Sequence, residues 1–182
     1  MKKVLSLVTV IILCFAATSF AQVGPPVSMN LGLGAGVTMP SGDYSTGSNT
    51  GYHGAAKLRI GSLIPVDLTG AVAYHHVADK VGSDATNMIQ IAAGIEYAIP
   101  SVEVKPYLSA EVALNSFSNT AAGSTSRSRE GLNIGAGAQF MGFDGAVKYQ
   151  MLNLMGKADI APGVSEATYS QITLTVMYTI GL

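Results

Sequence analysis

The feature that most constrains this chain is a two-residue alternation that recurs from Met29 to Leu182. A period of two puts successive side chains on opposite faces of an extended strand. Across the first segment Met29, Leu31, Leu33, Ala35, Val37 and Met39 share one face, and Asn30, Gly32, Gly34, Gly36 and Thr38 the other. Seven more segments of about ten residues repeat the pattern, beginning near Tyr52, Val66, Met88, Pro106, Leu132, Phe143 and Gln171. The connections alternate in length. Pro40 to Asn49, Val77 to Asn87, Ser118 to Arg129 and Met155 to Thr168 are long and polar. Gly61 to Pro65, Pro100 to Val104 and Met141-Gly142 are short. Met141-Gly142 suits a two-residue hairpin turn, because glycine takes a positive φ without strain.

Eight segments joined by hairpins, with no helix-period stretch among them, predict an all-β, eight-stranded antiparallel up-and-down transmembrane β-barrel. About ten residues of tilted strand cross a bilayer core. Long connections at one rim and short ones at the other suit a membrane barrel whose inner rim only closes hairpins.

Alternation alone also fits a secreted barrel with its apolar face inward. The distribution of side chains separates the two. One face is Leu, Ile, Val, Met, Ala and Tyr with no charge, while the other carries Lys57, Arg59, Asp67, Glu96, Glu111, Asp144 and Lys148 among Gly, Ala, Ser, Thr and Gln. In water the small residues of the charged face would be unexplained; inside a narrow lumen they make room for the long charged ones. Those seven residues are therefore expected to form a polar cluster in the lumen, with the uncharged face against lipid. Pairing the second and third segments about Leu63 sets Arg59 opposite Asp67 and Tyr52 opposite Tyr74, and opposite charges and aromatics are favourable cross-strand partners. Turning at Met141-Gly142 sets Phe140 opposite Phe143, Gln139 opposite Asp144 and Gly135 opposite Lys148. Tyr97, Phe140, Phe143 and Tyr178 fall near one rim and Tyr52 and Tyr74 near the other, where amphipathic rings favour the headgroup level.

The N-terminus has the form of an export signal. Lys2 and Lys3 precede an apolar run from Val4 to Phe15, and Ser19-Phe20-Ala21 matches a small-x-small cleavage pattern. Residues 1–21 are expected to be removed as a signal peptide, leaving 22–182 as a single barrel domain. Cys14, the only cysteine, lies in the signal and follows Leu13 instead of a small residue, so no thiol, disulfide or lipid anchor is expected in the exported chain. Removing Lys2 and Lys3 leaves 8 basic and 11 acidic residues, a net of -3. No basic patch invites nucleic acid.

These residues resemble the small eight-stranded outer-membrane barrels of Gram-negative-type bacteria, the group that includes the OmpA transmembrane domain and OmpX. Pro40-Ser41-Gly42-Asp43-Tyr44, followed by Gly51-Tyr52-His53, looks like the first outer loop of many such proteins. The last segment, with Tyr178, Ile180 and Leu182 on one face, is similar to the signal read by the barrel assembly machinery, with Leu182 in place of the usual final aromatic. The resemblance implies residence in the cell outer membrane among outer-membrane lipid and lipopolysaccharide. It also implies long loops that face outward, chain ends in the periplasm, and a structural, adhesive or binding role through a loop partner.

Chemistry is sparse. His53, His75 and His76 are the only histidines, and a metal site needs three or four ligands. No His-x-Ser arrangement like that of a barrel lipid deacylase follows His75, and Gly32-Leu33-Gly34-Ala35-Gly36 lacks the helix of a dinucleotide fingerprint. Neither a metal, a cofactor nor an enzymatic activity is expected. Two functional classes stand: a structural and interaction protein with a largely filled lumen, or a narrow pore for small solutes. Eight strands leave an interior that side chains can fill, which favours the first.

Overall fold

A computed structural model describes residues 28–61, 65–100, 103–120, 126–154 and 169–182. The expected signal peptide, the turn centre at Leu63 and the segment from Met155 to Thr168 lie outside the described residues. The strands are β1 (Ser28–Gly42), β2 (Gly51–Gly61), β3 (Val66–Ala78), β4 (Ala85–Ala98), β5 (Lys105–Asn119), β6 (Arg127–Phe140), β7 (Phe143–Met151) and β8 (Tyr169–Gly181). They close in chain order into one antiparallel barrel, with β8 paired back onto β1 through Val37 and Leu174. Closure leaves no sheet edge to pair with another chain. A one-turn helix, α1 (Tyr44–Gly47), follows β1 at the long-loop end.

The eight-stranded barrel expected from the alternation is the fold that forms. Leu33, Leu68, Ile91, Val112, Ile134, Val147 and Val176 are exposed on the outer wall, with Val112 at 63%. An outer wall this apolar is unlike the surface of a soluble monomer, where large contiguous apolar patches are rare.

The β6–β7 hairpin turns where expected. Met141 (φ 49°) and Gly142 (φ 83°) both take positive φ, as a type I′ turn requires. Phe140 pairs with Phe143, Gln139 with Asp144 and Gly135 with Lys148. The β2–β3 register is different from the expected one. Arg59 lies opposite Thr69, not Asp67, and Tyr52 opposite His76, not Tyr74. This slip of two residues keeps every side chain on its face, so the hydrophobic pattern cannot oppose it. Strands also run further into the long connections than polarity suggested: β4 starts at Ala85 and β6 at Arg127. Backbone pairing is indifferent to side-chain polarity once the wall has left the apolar band. Glu130, two positions before Leu132 on the outer wall, is exposed there.

Glycine on the inner face makes room for neighbours. A Cβ on Gly137 would sit 2.4 Å from Tyr107 Cζ, and one on Gly135 would sit 2.7 Å from Lys148 Cγ. Overpacking of this kind destabilises by about 1–3 kcal/mol. Gly137→Ala should therefore lower the urea midpoint of unfolding in lipid vesicles, whereas Gly70→Ala, where an added Cβ meets nothing within 4 Å, should leave it nearly unchanged.

Candidate functional site

The lumen is organised in layers along the barrel axis. Nearest the short turns is an ion cluster. Lys57 Nζ lies 2.6 Å from Asp144 Oδ2 and 3.0 Å from Glu96 Oε1. Arg59 donates from Nε to Glu96 Oε2 at 2.7 Å and from Nη2 to Asp144 Oδ2 at 2.8 Å. Tyr107 donates its hydroxyl to Asp144 Oδ1 at 2.6 Å, and its ring lies under both cations, 5.0 Å from Lys57 Nζ and 5.4 Å from Arg59 Cζ. Strands β2 and β7 are not neighbours in the wall, so the Lys57–Asp144 and Arg59–Asp144 contacts cross the interior. Asp67, 19% exposed, stands at the edge, 3.7 Å from Arg59 Nε.

Above this cluster Lys148 Nζ reaches Glu111 Oε1 at 2.5 Å, and Asn133 Nδ2 donates to Glu111 Oε2 at 3.0 Å. Amides continue the chain. Asn133 and Gln150 both donate to Gln90 Oε1 at 3.2 Å, and Gln171 donates to Gln150 Oε1 at 2.6 Å. Next come His53 and His75, directly opposite on β2 and β3, with ring centroids 4.9 Å apart. Thr38 Oγ1 lies 3.0 Å from Nδ1 of each. At the long-loop end the layer is apolar: Tyr44, Val77, Met88, Phe117, Leu152 and Tyr169 form one buried cluster. The helix α1 carries Tyr44 into it, with its ring centroid 5.4 Å from that of Tyr169. Burial pushes the Tyr44 phenol well above its usual pKa, so it is a neutral packing group.

The structure thus divides the seven charged residues named above into two groups. Lys57, Arg59, Glu96 and Asp144 meet, with Asp67 beside them; Glu111 and Lys148 pair separately. Tyr107 and the amides Gln90, Asn133, Gln150 and Gln171 are essential members that charge alone did not reveal. Their inward position in each segment was the available signal. On the outer wall Tyr52, Tyr74, Tyr97, Phe140, Phe143 and Tyr178 are all exposed. Phe143 and Tyr178 meet edge to face at 5.5 Å near the short turns. Tyr52 packs on His76 at 5.1 Å near the long loops, where Tyr74 donates to Asn87 Oδ1 at 2.9 Å.

No curated protein matches this chain. Several solved structures share its fold, among them the following two. Neisserial surface protein A is 20% identical, with a TM-score of 0.63, over 85% of this chain and 99% of that one. Ail, the attachment invasion locus protein of Yersinia pestis, is 18% identical, with a TM-score of 0.51, over 85% of this chain and 97% of that one. The family model for the outer membrane protein beta-barrel domain matches residues 7–179. A match of that extent, on a closed barrel that turns its apolar wall outward, places the chain in the outer membrane protein beta-barrel domain family, as a protein of the cell outer membrane.

Proposed function

We propose that this protein is a closed scaffold in the outer membrane that presents its long loops for adhesion or surface binding, with no catalytic role and no general porin activity. The observation that carries this reading is the ion cluster in which Lys57 and Arg59 on one side of the barrel hold Asp144 on the other. A solute would have to part buried charges held together across the interior, and the apolar cluster under α1 stands in the same path. The names of the two structural neighbours, a surface protein and an attachment protein, agree with the reading. In this account residues 1–21 are removed on export, the barrel assembly machinery inserts 22–182, and the wall meets outer-membrane lipid and lipopolysaccharide, with the six aromatics above at its two interfaces.

Pure refolded protein in planar bilayers should show no more than rare, small currents. Steady open-channel conductance would instead support the second reading, a narrow pore, which a small cavity at mid-barrel favours. Orientation is tested separately. A cysteine at Ser83, exposed between β3 and β4, should react with an impermeant maleimide on whole cells, and one at Met141 should not. The reverse labelling would put the long loops in the periplasm and remove the proposed binding surface.

A further inference from the structure

Between the two histidines and the Lys148–Glu111 pair lies a cavity of about 40 Å³, lined among others by His53, His75, Lys57, Glu111, Lys148 and Ala73. A water needs roughly 10–15 Å³ of such space and two to four polar partners. The cavity therefore has room for about three waters, and its walls supply hydrogen-bonding groups on several sides. His75 gives the sharper sign. Its side chain is 1% exposed, its Nδ1 is engaged by Thr38 and Gln171, and its Nε2 has no partner among the described residues. Its neighbour His53 has both nitrogens occupied, by Thr38 and Thr175. Buried polar nitrogens in native proteins are nearly always bonded, so the His75 position calls for a ligand.

We propose that the mid-barrel cavity is an internal hydration site: a cluster of about three waters, one of them hydrogen-bonded to His75 Nε2. Two features select water over an ion. The charges that line the cavity balance, with Lys57 and Lys148 facing Glu111 and Asp144. The Thr38 hydroxyl carries one hydrogen, so it can donate to only one of the two Nδ1 atoms it touches, and the other ring must donate to it. Gln171 Nε2 can only donate to His75 Nδ1, so the ring hydrogen sits on Nε2 and needs an acceptor, which water supplies and a cation does not, while the balanced charges leave no place for an anion. The site also gives a purpose to the small side chains Ala73 on β3 and Ala146 on β7, which face each other across the lumen. Hydration on this side lets the Lys148–Glu111 pair stay charged within a membrane-spanning barrel. This inference is independent of what the loops bind.

The test is water-edited magic-angle-spinning NMR on the full exported chain, refolded in lipid bilayers with labelled histidine. The His75 ring is expected to receive magnetisation from water despite its burial. Ala73→Leu fills the cavity and should abolish that transfer while leaving the heat-dependent gel shift of a folded barrel. Ala146→Leu fills the cavity from the opposite wall and serves if Ala73→Leu fails to fold. Absence of transfer in the unaltered protein, or transfer that survives in a folded cavity-filling variant, would overturn the proposal.

Discussion

Replacement of Asp144 by alanine should lower the unfolding free energy by about 3–5 kcal/mol, the range for breaking a buried ion pair by removing one partner. Asp144 receives Lys57, Arg59 and Tyr107, so its loss leaves two buried cations to share Glu96, with Asp67 only at the edge beside Arg59. Much of the loss is the penalty of an uncompensated charge. Arg59 and Asp67 should behave differently. They stand 3.7 Å apart with Asp67 partly exposed, and Arg59 has better partners. A double-mutant cycle with Arg59→Ala and Asp67→Ala should give a coupling of about 0–1 kcal/mol, as for a solvated pair. Urea unfolding in lipid vesicles measures both. An Asp144→Ala penalty below that of Asp67→Ala would mean that the contacts across the lumen do not form.

The second large effect belongs to the wall. Leu174 lies mid-strand on β8, exposed on the outer face and paired with Val37 and Val147. An arginine there should destabilise the barrel by about 2–4 kcal/mol if the face meets the bilayer midplane. The same change on a water-facing surface would lie within about ±0.5 kcal/mol. The same unfolding assay separates these values, and Ser128→Arg, outside the apolar band near Glu130, serves as the control expected to cost little.

Which residues face inward was legible because one face holds every charge within the segments and a period of two admits only two assignments. The β6–β7 register was legible for a local reason: a two-residue turn with Gly142 leaves a single pairing. The β2–β3 register was not. Its longer connection permits pairings that differ by two residues, and all of them keep Arg59 and Asp67 on the inner face. What decides it is non-local, since Arg59 is held by Glu96 on β4 and Asp144 on β7. The division of the seven charges into two groups is hidden for the same reason. Alternation gives the face of each residue but neither its height along the axis nor its partner across the lumen. The apolar cluster at the long-loop end was missed because Tyr44, Val77 and Leu152 sit in or beside polar connections, where their hydrophobicity reads as incidental. Only the closing of the barrel brings them onto Met88, Phe117 and Tyr169.

The central claim is that the uncharged face is a lipid-facing wall, and the chain offers a clean reporter because it contains no tryptophan. Val112, mid-strand on β5 and 63% exposed, can be replaced by a single Trp. In vesicles, Val112→Trp should emit at short wavelength and be strongly quenched by lipids brominated along their acyl chains. Emission at the wavelength of a water-exposed indole, unaffected by brominated lipid, would contradict the account.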